Sequence, residues 1–295
     1  MALSMAEPEL SIVVAASHAA HTLAKCLDAL GPQIAAVSTE VLVVASTDGE
    51  ARLAHERLPG ACVLQAAAEA LIPTQWGIGV GVARGRVLAL TVATCVPDAK
   101  WVDAILQAHR DYHTAVGGAI ENAPVASLLD WAQYFVLYTP FMLPFEPGPL
   151  EVPGENGTYK RAALAEQMNW IRAHGFWASE INARLREEKR SLWGDPRLVV
   201  YHQPSASLRG FARQRLAYGR MAGCRRAARS TRYRRLRDML RAPAVPLIHL
   251  ARMVKRLARQ RRHRIQFVLS LPVVIWFLLC WAAGEWLGLL SGAEV

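Results

Sequence analysis

The stretch Arg84-Gly-Arg-Val-Leu-Ala-Leu-Thr-Val-Ala-Thr-Cys-Val-Pro-Asp-Ala-Lys-Trp101 decides how this chain is read. Val87 to Leu90 is a short apolar run of the kind that forms a buried strand. Small and polar residues, Thr91 to Thr94, follow at its end. Pro97 closes the turn, and Trp101, Val102, Ile105 and Leu106 have the spacing of an amphipathic helix. In an open α/β sheet, ligands bind where such a strand ends.

Working outward, the flanking sequence alternates in the same way. Leu10 to Ala16 is an apolar run that predicts a first buried strand. Leu23, Cys26, Leu27 and Leu30 then predict a helix, with Gly31-Pro32 as its stop. Glu40 to Val44 is a second strand, running into Ala45-Ser-Thr-Asp-Gly49, and a helical stretch runs from Glu50 to Leu58. Ala61 to Leu64 is a third strand, and Pro73 to Ala83 a helix of small residues. This β-α-β-α alternation predicts a parallel sheet with helices on both faces. Gly77-Ile-Gly-Val-Gly81 has neither the preceding strand nor the later acid of a dinucleotide loop, so its glycines are read as close helix packing. Val116 to Ile120 predicts a further strand. Asp130 to Phe141 predicts an aromatic-rich helix, ended by Pro140, against the core or a membrane surface.

Charge divides the chain. The net charge is +10, but Ser205 to Arg264 holds nineteen Lys and Arg against one acid, Asp238. The rest holds fifteen Lys and Arg against twenty-three acids. The basic segment directly precedes an apolar run, Phe267 to Leu290, long enough to span a bilayer. That position favours a juxtamembrane anchor on an anionic surface over nucleic-acid contact. Within it, Pro243 to Leu257 is a basic amphipathic stretch suited to the headgroup layer. Pro272, Gly284, Glu285 and Gly288 interrupt the apolar run, so a helix dipping into one leaflet is the alternative to a span. The five cysteines form no Cys-x-x-Cys, and His109 and His113 have no third partner, which argues against zinc-ribbon, thioredoxin-type and zinc-site chemistry. Met1 to Glu9 lacks the basic start of a signal peptide, so the main domain is expected in the cytoplasm.

The opening stretch resembles the central motif of the family 2 glycosyltransferases through Ala83-Arg84-Gly85, the apolar strand, Pro97-Asp98 and Trp101. The resemblance extends to Ser46-Thr47-Asp48-Gly49 and to Gly154, Asn156, Lys160 and Arg161, which fit a Gly-x-Asn-x-x-x-[Lys/Arg]-Arg pattern. It also takes in Gly175 to Leu185, Trp193 to His202, and Leu208 to Arg220 with its Gln-Arg and Tyr-Gly. It implies a GT-A-like, Rossmann-like nucleotide-sugar-binding α/β domain over residues 1–204. Basic juxtamembrane and interfacial helices over 205–264 and a C-terminal membrane helix over 265–295 would follow. It further implies inverting transfer of a sugar from a nucleotide-sugar donor to a hydroxyl, on a lipid-linked or polysaccharide acceptor, at the cytoplasmic face of the inner membrane.

The residues implied for the donor are Ala15, Ser17, Ser46, Asp48, Arg84, Thr91, Ala93 and Thr94. Those implied for the acceptor and diphosphate are Gly154, Glu155, Asn156, Lys160, His202, Gln214 and Arg215. Glu180 is the carboxylate at hand for the general base, although the helix dipole also favours an acid in a first turn. Ser46 to Gly49 likewise reads by itself as a turn and helix cap, and a strand-end histidine such as His202 has a structural reading too. The sequence departs from the family at three acidic positions. Ala45 precedes the Ser-Thr-Asp-Gly, Thr91 to Thr94 stand where carboxylates would hold Mg²⁺ or Mn²⁺, and Ala178 and Ser179 occupy the place of the catalytic acid. No metal ligand is assigned. Two readings remain: an active transferase, and a degenerate relative acting as scaffold or regulatory subunit of a glycan-assembly complex.

Overall fold

The computed structural model describes residues 7–16, 20–35, 37–124, 126–203, 207–228 and 230–291. The chain divides into two compact units, one holding residues up to Glu121 with Phe141–Gln203, the other Asn122–Pro140 with Pro204–Val295.

In the first unit the strands are β1 (Leu10–Ala15), β2 (Thr39–Ala45), β3 (Cys62–Gln65), β4 (Val87–Val92), β5 (Cys95–Pro97), β6 (Ala115–Asn122), β7 (Gly148–Pro149), β8 (Gly157–Lys160) and β9 (Leu192–His202). Among the described residues they form one sheet in the order β3-β2-β1-β4-β8-β6-β9-β5, with β7 paired to β9. β3, β2, β1 and β4 are mutually parallel. β8 then runs antiparallel to β4 and β6. β1 and β4 are buried along their whole length, which is why they read as unbroken apolar runs rather than alternating ones. The helices are α1 (Ala20–Ile34), α2 (Asp48–Arg57), α3 (Ile72–Val82), α4 (Trp101–Ala108), α6 (Met168–His174) and α7 (Ala178–Glu187). They fall into two packed groups, α1 with α2 and α4, and α3 with α6, as expected for a sheet covered on both faces.

Several sequence expectations change. β4 continues through Thr91 and Val92, so two of the residues read as a polar end are inside the strand and buried. Gly31-Pro32 does not stop α1, which runs to Ile34. Gln33 holds that last turn: its Nε2 donates to the Ala29 carbonyl at 2.8 Å and to the Asp98 carbonyl at 3.0 Å, and its Oε1 accepts from Val102 N. Of the clustered glycines in α3, Gly77 and Gly79 pack as expected, the first against Gly175 and the second against Val13, whereas a Cβ on Gly81 would meet nothing.

The second unit is helical: α5 (Leu128–Tyr138), α8 (Leu208–Ala228), α9 (Arg232–Arg241), α10 (Val245–Gln260) and α11 (Arg264–Ser291). Ser127 and Asp130 form a capping box on α5, and the helix passes into a short 3-10 turn, Thr139–Phe141, around Pro140. α5 packs on α11, with Phe135 edge-on to Phe267 and Trp131 against His263. α11 is long and apolar enough to cross a membrane, with a mean hydropathy of 2.2 over its most apolar window.

Candidate active site

The parallel strands β1, β2 and β4 all end at one edge of the sheet. There β1 delivers Ala15, β2 delivers Ser46, and β4 delivers Thr91 to Thr94. Ala93 N donates to the Ala15 carbonyl at 2.9 Å, so the first and central predicted donor segments are joined. Ser17 lies outside the described residues.

Two residues not singled out from the sequence assemble the rest. Gln75 and Trp76 lie in the first turns of α3 and are both buried. Gln75 Nε2 donates to Ser46 Oγ at 3.0 Å. Trp76 Nε1 donates to the Thr91 carbonyl at 2.8 Å. The Trp76 ring lies under Gly154, where a Cβ would come within 2.5 Å of it and 3.5 Å from Ala178 Cβ. The only sequence signal for the pair is an amide and an indole inside a helix of small residues.

α7 is clamped to the same place. Asn182, fully buried, donates to the Val152 carbonyl at 2.8 Å and to Glu151 Oε1 at 3.0 Å, and accepts from Tyr159 Oη at 3.1 Å. The start of α7 is fixed by Gly175, whose φ of +82° a side chain would strain, and by Phe176 N donating to the Pro73 carbonyl at 2.6 Å. One side of the sheet edge therefore holds the end of β4, the Gly154–Glu155 loop and the first turn of α7 with Glu180. Glu155 and Glu180 are both partly exposed.

The Ser46–Gly49 turn is a helix cap. Thr47 caps α2 by accepting from Glu50 N, while buried Glu50 accepts from Ser46 N at 2.8 Å and Thr47 N at 3.2 Å. This leaves Asp48 exposed at the first position of α2, above the end of β2.

Other predicted residues sit elsewhere or are already engaged. Arg84 lies at the opposite edge. Its guanidinium pairs with Glu40 at 3.0 Å, and Glu40 also accepts from Arg84 N and from Ser11 Oγ, which in turn accepts from Gly85 N. The Arg84 contacts and hydrogen bonds hold the Glu40 carboxyl below its usual range against the opposing effect of burial, the largest single influence. Gly85 is required because a Cβ would lie 2.5 Å from Ser11 N. Ala83-Arg84-Gly85 thus staples the starts of β1, β2 and β4, and six residues of β4 separate it from the other edge, about 20 Å. Lys160 pairs with Val87 at that same far edge, where Nζ donates to the Asp111 carbonyl. It lines a cavity of about 990 Å³ together with Arg86, His109, Arg161 and Arg172. Neither residue shares the edge occupied by Ser46 and Asp48.

Asn156 is fully buried and its amide makes three hydrogen bonds within the fold. Oδ1 accepts from Trp101 Nε1 at 2.8 Å, and Nδ2 donates to the carbonyls of Ala119 at 2.8 Å and Leu198 at 3.0 Å. It braces β6, β9 and α4, and both of its Nδ2 protons are committed to those backbone carbonyls. His202 is buried opposite Cys95, and burial pushes its imidazole down to about 3, so it carries no positive charge for a diphosphate at neutral pH. Gln214 and Arg215 belong to α8 in the second unit, where the Arg215 guanidinium lies 4.5 Å from the Trp281 ring.

The end of β4 presents hydroxyls and backbone carbonyls but no carboxylate for a divalent cation. Thr91 Oγ1 is buried without a hydrogen-bond partner, Val92 and Ala93 have no side-chain oxygen, and Asp98 accepts from Lys100 N and from Tyr201 Oη. Among the described residues, no group of three His, Cys, Asp or Glu could hold a metal ion. A divalent cation needs several oxygen ligands to replace its water.

No protein-family profile matches the sequence, and no curated protein matches it. Solved structures do. The mannosyltransferase PcManGT from Pyrobaculum calidifontis, in complex with GDP-Man and Mn²⁺, superimposes with a TM-score of 0.54 at 15% identity, covering 95% of this chain and 88% of that one. TarS 1–349 of S. aureus gives a TM-score of 0.47 at 13% identity over 66% of this chain and 60% of its own. With four parallel strands followed across the sheet by β8, which is antiparallel to both β4 and β6, then by β6 and β9, and a long apolar helix at the C-terminal side, the chain has a GT-A-like glycosyltransferase fold.

Proposed function

We propose that the first unit is a family 2-like glycosyltransferase that moves a sugar, with inversion, from a nucleotide-sugar donor to a hydroxyl of a lipid-linked or polysaccharide acceptor. The observation that carries this reading is Trp76, which ties the end of β4 to the Gly154 loop beside the head of α7. Asp48 and Ser46 face the nucleoside, the turn Ala93–Thr94 underlies the diphosphate, and Glu155 borders the acceptor. Glu180 takes the proton of the acceptor hydroxyl as its oxygen attacks the anomeric carbon. The bond from that carbon to the diphosphate oxygen breaks, and the nucleoside diphosphate leaves with the electron pair. A positioned carboxylate contributes about 10²–10⁴-fold to such a step. The neighbour's GDP-mannose makes guanosine diphosphate the first nucleotide to try. The unit works at the cytoplasmic face of the inner membrane, held by the basic and apolar C-terminal helices.

A second reading rests on Ala45, Val92 and Ala178, which stand at positions where the family carries acids. A non-catalytic glycan-assembly subunit tolerates these losses. Titration calorimetry with nucleoside diphosphates, with and without Mn²⁺, followed by transfer assays in membrane extract, separates the two. Micromolar binding with turnover supports the transferase, binding without turnover supports the scaffold, and absence of any nucleotide binding refutes the donor site.

A further inference from the structure

α11 has two unlike faces. Its exposed apolar residues are Ile265, Val268, Leu269, Ile275, Trp276, Leu279, Trp286, Leu287 and Leu290. At 100° per residue they fall within about 120° of the helix circumference. The opposite face carries Gly284 and Gly288, which meet α8 backbone to backbone. A Cβ on Gly284 would overlap the Leu216 carbonyl, and one on Gly288 the Arg220 carbonyl. Gly219 and Gly223 of α8 meet the carbonyls of Trp281 and Glu285 in return. Phe211 against Phe277 and Arg215 over Trp281 continue the same register, so α8 runs alongside α11 in the same direction. Within this contact Glu285, 1% exposed, pairs with Arg226 at 2.5 Å.

α8 carries Arg209, Arg213, Arg215, Arg220, Arg225 and Arg226 and no acid. A span through α11 would take Arg213, Arg215 and Arg220 into hydrocarbon with it, because the glycine contacts leave no room for lipid between the helices. Both ends of α11 are also basic. Arg235 of α9 donates to the carbonyls of Leu289 and Leu290, while Arg264 at the other end donates to the Ala258 carbonyl, beside Arg259, Arg261 and Arg262. Arginines favour the anionic cytoplasmic side, and here they mark both ends of one helix. α10 adds exposed Leu247, Ile248 and Val254 next to Arg252, Lys255 and Arg259, the composition of a helix lying in an interface. Trp276 and Trp286 on the apolar face suit the same depth.

From these features we propose that α11 does not cross the bilayer but lies in the plane of one anionic leaflet, with the 265–290 stripe in the acyl region and α8 on its aqueous side. The inference rests on the membrane association proposed above. Its test uses full-length protein with Cys62→Ser and Cys280→Ala, carrying a bimane label in turn at Val268→Cys, Leu279→Cys and Leu290→Cys. The vesicles are phosphatidylcholine with phosphatidylglycerol, doped with quenchers at shallow or deep acyl positions. Equal depth at the three sites, within twofold in the shallow-to-deep quenching ratio, is the expected result. A deep Leu279 between shallow Val268 and Leu290 overturns the in-plane seat and leaves membrane association standing. Absence of quenching at every site, in protein that fails to float with the vesicles, overturns both.

Discussion

Under the proposed transferase reading, Glu180 is the carboxylate assigned as general base. It sits in the first turn of α7, and α7 is locked by Asn182 to the Gly154 loop. Glu180→Gln keeps size and hydrogen bonding but removes basicity, so turnover is expected to fall by about 10²–10⁴-fold with nucleotide affinity nearly unchanged, read by initial rates beside calorimetry. Full activity in Glu180→Gln with a dead Glu155→Gln would move the base to the neighbouring loop. Two histidines give a second residue-level prediction. Burial pushes His202 from 6.5 to about 3. Burial, then the charges of Lys160 and His113, push His109 from 6.5 to about 4. Both are neutral when folded and take up protons when unfolded, so their contribution is full above pH 6.5 and is lost as pH falls toward those values. The melting temperature should drop between pH 6.5 and 5, and the double variant His109→Gln, His202→Gln should show a shallower drop. Sequence order located these residues along the chain but not their roles. Asn156 matched its motif, yet its amide is consumed by Trp101, Ala119 and Leu198, partners that lie 37 to 55 positions away. Asn156→Ala would leave those groups buried and unpaired, at roughly 1–3 kcal/mol each, visible in urea melts.

At the scale of elements, β1 to β4, β6 and the helices α1 to α4 were readable because their apolar periods are strong, whereas the short strands β5, β7 and β8 and helix α6 were not. The strand Val87 to Leu90 was found and its two further residues were not, since Thr91 is polar by type although buried in place. The general rule for α/β sheets pointed to the ends of the strands, but the motif around Arg84 did not show which of its parts lies at that end. Ala83-Arg84-Gly85 precedes β4 and Thr91 to Thr94 form its end and the turn after it, so the two stand at opposite edges of the sheet. α3 shows what period alone misses. Its small residues let it lie close to β1, and that closeness brings Trp76 to Thr91 and Gly154. Gly154→Val pushes the loop away from the indole. Displacing a reacting group by about 1 Å can cost about 10²-fold in rate, so turnover should fall by that order while nucleotide binding at Asp48 and Ser46 persists. In the helical unit, Gly284→Val overpacks the contact with Leu216 and should destabilise by about 1–3 kcal/mol, measured as an earlier thermal transition.

For the whole molecule, the charge asymmetry read from composition separates the acidic sheet unit from the basic helical one. It also bears on the pyrophosphate. The end of β4 has no carboxylate, so EDTA should leave nucleotide binding within twofold; loss of binding in EDTA, restored by Mn²⁺, would contradict this. What composition could not reveal is that the chain enters the helical unit twice. Asn122–Pro140 leaves the sheet, contributes α5, and returns before β7. Its partners on α11 lie far along the sequence, beyond the reach of any local pattern.

That double visit bears on how the protein is made. α5 emerges from the ribosome while α11 is still unsynthesised, so the face that ends against Phe267 and His263, with Trp131 and Phe135, must be covered by something else during the delay. A chaperone or the lipid surface itself can serve. The sheet unit is complete in the chain by Gln203, whereas the helical unit awaits α11, which contacts both α5 and α8. Removing residues 204–295 therefore does more than untether the sheet unit: it strands α5 without its cover. Such a shortened chain is expected to aggregate, and one in which residues 123–139 are also replaced by a short Gly-Ser bridge is expected to remain monomeric by size-exclusion chromatography.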